Sequence, residues 1–141
     1  MKHEKLANKL HSASIRLLRG LRRTDAESGV GPARLSALSV LVYAGPRTLG
    51  QLADIEQVAA PTMSRVVRGL EEQGLTARRA NPEDGRSITL HATRKGRTLL
   101  ERARQARLAT LSDQLARLSA SERRTLGDAA IIIADLARPA E

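Results

Sequence analysis

The sequence contains no cysteine, phenylalanine or tryptophan, and Tyr43 is its only aromatic residue. Without cysteine the chain can form no disulfide, no thiolate metal site and no thiol-based redox sensor. Proteins that bind single-stranded nucleic acid stack bases on aromatic rings, so the near absence of rings argues against that function. The core must be built from aliphatic side chains, and such a core often gains stability from a partner subunit.

Long apolar runs are also missing. The longest, "AAIIIA" at 129–134, is far too short to span a bilayer, and the N-terminus has no continuous apolar segment typical of a signal peptide. We therefore expect a cytoplasmic protein with no membrane partner. His3, His11 and His91 are too scattered to predict a metal site. No catalytic motif stands in a context that would support it, so neither an enzyme nor a cofactor is predicted.

Positive charge is abundant. Lys and Arg number 24 against 15 Asp and Glu, which gives a net charge of +9. Almost all of these cations are Arg, the residue suited to bidentate contacts with phosphate and guanine; the exceptions are Lys2, Lys5, Lys9 and Lys95. A polyanionic partner, duplex DNA above all, is the sharper interpretation. The alternative is that the charge only keeps the protein soluble.

With 141 residues, the chain is expected to form one domain or a domain with helical extensions. The first 24 residues carry an apolar stripe at helical spacing: Leu6, Leu10, Ala13, Leu17 and Leu21. The segment "ESGVGP" at 27–32 breaks this helix. A second helix is predicted over 33–43.

Two further helices follow. Thr48 and Gln51 match a capping box that opens a short helix. Pro61 fits the first position of the next helix, where its missing N–H costs nothing, and Gly74 fits the position after that helix ends.

A β-hairpin is predicted next, with strands over 75–79 and 87–91. The alternating positions of Leu75, Ala77, Ile88 and Leu90 are typical of a half-buried hairpin.

Two helices complete the chain. A long helix is expected from Thr93, with an apolar side formed by Leu100, Ala103, Leu108, Leu111, Leu115 and Leu118. "SASE" at 119–122 matches a second capping box. It would start a last helix whose inward residues are Leu126, Ala130, Ile133 and Ala137.

The helix after Pro61 has two distinct faces. At about 100° per residue, the apolar residues Met63, Val66, Val67 and Leu70 cluster on one side and must face the core. The opposite side holds Pro61, Arg65, Arg68 and Glu72, with Thr62 and Ser64 on its flanks. An exposed face with Thr, Ser and two Arg near the helix N-terminus suits base reading in the major groove. An ordinary solvated amphipathic helix is the alternative.

The hairpin tip "NPEDGR" would then lie over the neighbouring minor groove. This groove is narrow and electronegative in A·T tracts, so the predicted role of Arg86 is insertion there. Asp84 could accept hydrogen bonds from backbone N–H groups of the turn, or could orient a guanidinium. Arg78 and Arg79 are candidates for contacts with the DNA backbone.

The stretch "TLGQLADIEQVAAPTMSRVVRGLEEQGLTARRANPEDGRSITLHATRKGR" resembles the DNA-binding region of the multiple antibiotic resistance regulator (MarR) family. The resemblance is strongest over residues 35–100. The family's wing signature is D-x-R, five residues, then L-T. Asp84, Arg86 and Thr93 match it, whereas Ala92 replaces the Leu.

The expected fold is mainly α with a small β-hairpin wing: a winged helix-turn-helix core flanked by N- and C-terminal dimerisation helices. Residues 1–32 and 98–141 are assigned to dimerisation, and 33–97 to DNA binding. The resemblance implies a homodimer with intertwined terminal helices, and the leucine stripes favour one independently. Such a dimer would bind a pseudo-palindromic duplex. An intramolecular bundle is the alternative.

The resemblance also implies a transcriptional regulator, most often a repressor, that a small-molecule effector releases from DNA. Candidate polar groups for an effector pocket are His11, Arg16, Arg19 and Tyr43; the alternatives are that they are plain surface residues and that the chain has no effector. A nonspecific architectural DNA binder and a winged-helix protein-interaction module are the competing functions.

Overall fold

The structure is a computed structural model that describes residues 2–138. Its elements follow the predicted order of four helices, a hairpin and two helices, with one short 3-10 helix added at Ala26–Ser28. They are α1 (Glu4–Asp25), α2 (Pro32–Tyr43), α3 (Leu49–Glu56), α4 (Ala60–Glu72), β1 (Thr76–Ala80), β2 (Ile88–Ala92), α5 (Arg94–Ala116) and α6 (Ala120–Leu136). The chain divides between Arg107 and Leu108 into two compact units.

The first unit contains the hydrophobic core, which is aliphatic apart from Met63, as the composition requires. Its largest fully buried side chains come from α2, α3, α4, β2 and the residue before β1: Leu35, Leu38, Leu41, Leu52, Met63, Val67, Leu70, Leu75 and Leu90. Because α2, α3 and β1 all pack on α4, this core fixes the face that α4 presents to solvent.

Helix boundaries follow local hydrogen bonds closely. Both predicted capping boxes are confirmed. The Gln51 backbone N–H donates to Thr48 Oγ1 at 3.2 Å while Gln51 Oε1 accepts from the Thr48 N–H at 3.0 Å, and Ser119 and Glu122 repeat this pattern. Gly74 follows α4 with a φ of +71°, a left-handed conformation that suits glycine.

Several predicted boundaries were wrong by one residue. Helix α4 begins at Ala60, so Pro61 occupies its second position; the N–H of that position also lacks an intrahelical acceptor, so proline is tolerated there. Each strand begins one residue later than predicted. The Leu75 N–H bonds back to the Leu70 carbonyl at 2.9 Å, which makes Leu75 part of the turn that ends α4.

The hairpin is only partly buried. β1 and β2 pair antiparallel with Arg78 opposite Leu90 and Ala80 opposite Ile88. Leu90 is fully buried, but Ile88 is 51% exposed, so its expected inward position was wrong. Ile88 lies two residues nearer the hairpin tip, beyond the reach of the core.

The second unit comprises the end of α5 and all of α6. No residue of α6 is buried in the described chain. The expectation that Leu126, Ala130, Ile133 and Ala137 point inward was therefore wrong for the single protomer; Leu126 and Ile133, for example, are exposed. Two helix segments alone lack a further layer that could cover their apolar sides.

Candidate nucleic-acid interface

A tight turn joins α3 to α4 and sets the direction of the second helix. Gln57 has a left-handed φ of +56°, and the Val58 N–H bonds to the Ala53 carbonyl at 3.0 Å, which closes the end of α3. Two short helices joined in this way form a helix-turn-helix, in which the second helix enters the DNA major groove. Here that second helix is α4.

The core dictates which side of α4 is free. Met63, Val67 and Leu70 are buried, and Val66 packs against them. The opposite side presents the predicted reading residues: Pro61, Thr62, Arg65 and Arg68 are exposed, and Ser64 is half-buried at its edge.

Both guanidinium groups of this face are available to a ligand. Among the described residues, neither Arg65 nor Arg68 forms a side-chain hydrogen bond or ion pair. The capping residue Ala59 has no side chain that could accept a bond, so the first N–H groups of α4 are also open to an anion. The face can therefore bind phosphate and base edges together.

The hairpin tip is shaped by its acidic and amide side chains. The Arg86 N–H donates to Asp84 Oδ1 at 3.0 Å, and the Glu83 N–H donates to Asn81 Oδ1 at 3.1 Å. This is the first of the two roles considered for Asp84. The bonds define the backbone of the tip while the Arg86 side chain extends into solvent. The tip and the exposed face of α4 both present free guanidinium groups.

The two arginines of β1 differ in their surroundings. Arg78 Nε lies 2.6 Å from Glu71 Oε1, so this side chain braces the wing against the end of α4. Arg79 is exposed and lies on the face of the hairpin that also carries His91. Partial burial lowers the pKa of the His91 imidazole, and the positive charge of Arg79 lowers it further. His91 is therefore neutral near pH 7 and adds no cation to the wing.

Sequence reasoning missed a third strand position. The Leu90 N–H donates to the Arg47 carbonyl at 2.7 Å, and the Arg47 N–H donates to the Leu90 carbonyl at 3.3 Å, so β2 lies between β1 and Arg47. A single bridging residue leaves no alternating pattern in the sequence. Its pairing ties the start of α3 to the wing.

A hydrogen-bonded junction, also missed, joins the end of α4, the start of β1 and the start of α5. The Thr93 N–H donates to the Leu75 carbonyl at 3.0 Å, and Thr93 Oγ1 donates to the Gly74 carbonyl at 2.6 Å. The same oxygen accepts the Gly96 N–H at 3.0 Å, which caps α5. Lys95 Nζ reaches the Gln73 carbonyl at 2.9 Å. The signal was the wing signature itself, whose Thr is Thr93.

The predicted effector residues are not brought together in the described protomer. His11 lines a pocket of about 670 Å³ beside α1, Arg16 and Arg19 are exposed on α1, and Tyr43 is 64% exposed at the end of α2. A different pocket of about 470 Å³ lies among α1, α2 and α5, with none of these four residues in its lining.

One ion pair flanks that second pocket. Asp25 is 2% exposed, and its two carboxylate oxygens accept from Arg107 Nε and Nη2, each at 2.6 Å. The hydrogen bond to Asp25 raises the pKa of the Arg107 guanidinium further above its ordinary value. The pair joins residues 82 positions apart and fixes the end of α1 to α5.

A helix-turn-helix with a free basic face, followed by a hairpin with an arginine at its tip, defines the class of winged-helix DNA-binding proteins, as predicted. The family model described as "MarR family" matches residues 31–88. Helix-turn-helix-type transcriptional regulators of Mycobacterium leprae and Mycobacterium tuberculosis are 37% and 40% identical to the chain, over 132 and 126 residues. These matches cover 94% and 89% of this chain and 92% and 88% of the two proteins.

Solved structures agree with these sequence matches. One solved structure is that of a Pseudomonas aeruginosa protein described as a transcriptional regulator. It superposes on this chain with a TM-score of 0.85 at 28% identity, and the match covers 99% of this chain and 98% of that one. The chain belongs to the MarR family of transcriptional regulators. It is a DNA-binding regulator, in a family of regulators rather than enzymes. Among residues 2–138, no helix is both long and apolar enough to cross a membrane.

Proposed function

We propose that the protein is a cytoplasmic repressor that binds a pseudo-palindromic operator as a homodimer. The observation that carries this proposal is the exposed face of α4, where Thr62, Arg65 and Arg68 are exposed and the helix N-terminus is open. Arg can donate two bonds to guanine O6 and N7, and each good pair discriminates by about 1–3 kcal/mol. A dimer bound over a promoter would repress because it occupies the DNA that the polymerase needs.

The division of labour within the site follows from the chemistry of each part. Pro61, Thr62, Ser64, Arg65 and Arg68 would face the major groove from α4. The wing would contribute Arg86 to the minor groove and Arg79 to the backbone, with Arg78 and Asp84 supporting their positions.

Substitutions of Arg65 and Arg86 test these two roles in one experiment. With the promoter of the protein's own gene as probe, Arg65→Ala should lower affinity for the best site by about 10-fold or more and reduce the cost of base changes at one or two positions. Arg86→Ala should lower affinity to a similar degree with thermal unfolding unchanged. Binding to a library of single-base variants provides the measurement.

Arg117→Ala is the control, because Arg117 is exposed just after α5 and is not one of the proposed DNA-binding residues. Equal weakening on every sequence in the library would count against base reading by Arg65 and favour a nonspecific architectural binder. Unchanged affinity in Arg86→Ala would refute the proposed wing contact.

The homodimer is supported by apolar side chains left open in the protomer. On α1 and α6 they include Leu6, Leu17, Ile131, Ile132 and Leu136, each at least half exposed. A stable monomer rarely leaves so much apolar surface on neighbouring turns of helices. We therefore propose that the dimer interface is formed by residues 1–32 and 98–141, which flank the DNA-binding region 33–97 in the sequence.

We expect the protein to sediment as a dimer at micromolar concentration. Ile132→Glu should shift it toward monomer, because a buried charge at an apolar interface costs several kcal/mol. Ile88→Glu is the matched control: Ile88 is 51% exposed on the wing, and its substitution should leave the dimer intact. A wild-type monomer across this concentration range would contradict the proposal.

We propose that binding of a small-molecule effector releases the protein from DNA by acting through α5. The pocket beside Asp25 and Arg107 borders α5, and the Thr93 junction connects the start of α5 to the end of α4. A ligand that binds better to a dimer with wrongly spaced α4 helices would lower the affinity for the operator. None of His11, Arg16, Arg19 and Tyr43 lines this pocket in the described protomer, so we propose them as polar contacts of a separate effector site that the partner subunit would complete.

A further inference from the structure

Helix α1 carries five cations along one side, which we call the α1 basic stripe: Lys5, Lys9, Arg16, Arg19 and Arg23. At about 100° per residue they fall within an arc of roughly 80°. The apolar residues Leu6, Leu10, Leu17 and Leu21 form a separate stripe whose centre lies about 120° away. The proposed DNA-binding face does not use these cations.

The α1 basic stripe lies on the side of α1 away from Asp25. Asp25, the buried residue of α1 that Arg107 holds, lies roughly 160° around the helix from the centre of the stripe. All five cations are exposed. Within the described chain none of them forms an ion pair or a side-chain hydrogen bond. The stripe is thus free positive charge held in a line along one helix, whose C-terminal end is fixed by the Asp25–Arg107 pair.

The stripe has the composition of a phosphate-binding surface. Three of its five members are Arg, whose guanidinium suits phosphate. It extends for about 27 Å, over which each strand of duplex DNA presents about eight phosphates. Membrane-binding helices place apolar side chains next to their cations on the face that meets the lipid, whereas here the neighbouring leucines are the ones assigned to the dimer. Duplex DNA is therefore the polyanion that fits best.

We propose that the α1 basic stripe is a second DNA-binding surface, which contacts the phosphate backbone of a duplex without reading its sequence. Phosphate contacts position a protein on DNA but carry no sequence information, so we expect binding by the stripe to be sequence-independent. One regulator could then hold an operator on α4 and the wing while the stripe holds another segment of DNA. This function goes beyond operator recognition and does not require it.

The experiment separates the two surfaces. In a background with Arg65→Ala, Arg68→Ala and Arg86→Ala, the full-length protein should still bind a 30-base-pair duplex of random sequence at low salt. Adding Lys5→Gln, Lys9→Gln and Arg23→Gln should weaken this residual binding at least 10-fold. It should also lower the slope of log affinity against log salt by about 2–3, since each lost phosphate contact removes about 0.9. Arg16 and Arg19 stay unchanged because they are also proposed effector contacts.

The matched control adds Arg97→Gln, Arg117→Gln and Arg124→Gln, which remove the same charge from exposed sites on α5, in the turn after it and on α6. For this control, the slope of log affinity against log salt should equal that of the background protein. Equal losses in the two triple sets would show a general charge effect and overturn the proposal. Binding of the stripe to phosphatidylserine vesicles with no effect on duplex binding would overturn it in favour of a membrane surface. Loss of the dimer in the stripe variant would overturn it in favour of a subunit contact.

The outcome is independent of the proposed repressor function. The stripe substitutions in an otherwise wild-type chain should preserve preference for the promoter over random DNA. If the wild-type protein shows no such preference, operator recognition fails while the stripe remains testable on the random duplex. If preference is intact and the stripe substitutions change nothing in the background, only the second surface fails.

Discussion

Replacing Gly96 by alanine should destabilise the protein by about 3 kcal/mol and lower its thermal midpoint by about 10 °C. A Cβ at this position would overlap the backbone carbonyl oxygen of Leu75 and come within 3.1 Å of Leu38 Cδ1. That carbonyl already accepts the Thr93 N–H, so it cannot turn away without breaking the bond. Urea or thermal unfolding measures the loss.

Gly50→Ala is the control for this substitution. Gly50 lies in the first turn of α3 with no atom within 4 Å of an added Cβ, so its stability should stay the same or rise by up to about 1 kcal/mol. If Gly96→Ala were as stable as Gly50→Ala, α5 would not need its close approach to Leu75. The destabilised variant should also lose operator affinity at temperatures where it is still folded, because the same junction holds Gly74 at the end of α4.

Local signals explain why so much of the fold could be predicted. A capping box needs only residues three apart, and both Thr48–Gln51 and Ser119–Glu122 form as the sequence indicates. The two faces of α4 follow from the helical period alone. Each of these predictions depends on side chains within one or two helical turns of each other, so it can be made without knowing the long-range contacts.

The errors concern contacts between distant residues. The outward position of Ile88 depends on how far the core extends under the hairpin, which the alternation of the strands does not reveal. The pairing of Arg47 with Leu90 joins two segments that share no pattern. The inward face expected for α6 is apolar, but no residue of α6 is buried in the described protomer, because helical periodicity identifies an apolar face without showing what covers it.

In the candidate site, too, local features could be predicted and contacts between distant residues could not. The free face of α4 and the turn made by Asp84 are local; sequence analysis predicted the first and gave the second as one of two possible roles of Asp84. The pairing of Arg78 with Glu71 was missed because it requires the wing to pack against the end of α4. A strand arginine assigned to DNA proves to have a partner within the protein, whereas Arg79, next to it, does not form an ion pair within the described residues.

The Asp25–Arg107 pair should show the second large effect. Arg107→Ala would leave the Asp25 carboxylate, 2% exposed, without its cation, and removing one partner of a buried pair typically costs about 3–5 kcal/mol. Because the Arg107 side chain is 42% exposed, we expect the lower end, about 3 kcal/mol, by urea unfolding. Arg104→Ala is the control: Arg104 and Glu101 lie 3.6 Å apart with both side chains more than half exposed, and its cost should stay below about 0.5 kcal/mol.

A double variant separates charge from packing at this site. If the cost of Arg107→Ala arises from the uncompensated carboxylate, adding Asp25→Leu should restore most of the stability, because an apolar pair can replace a buried ion pair at little cost. If the two substitutions instead destabilise the protein additively, the cost of Arg107→Ala comes from lost packing alone.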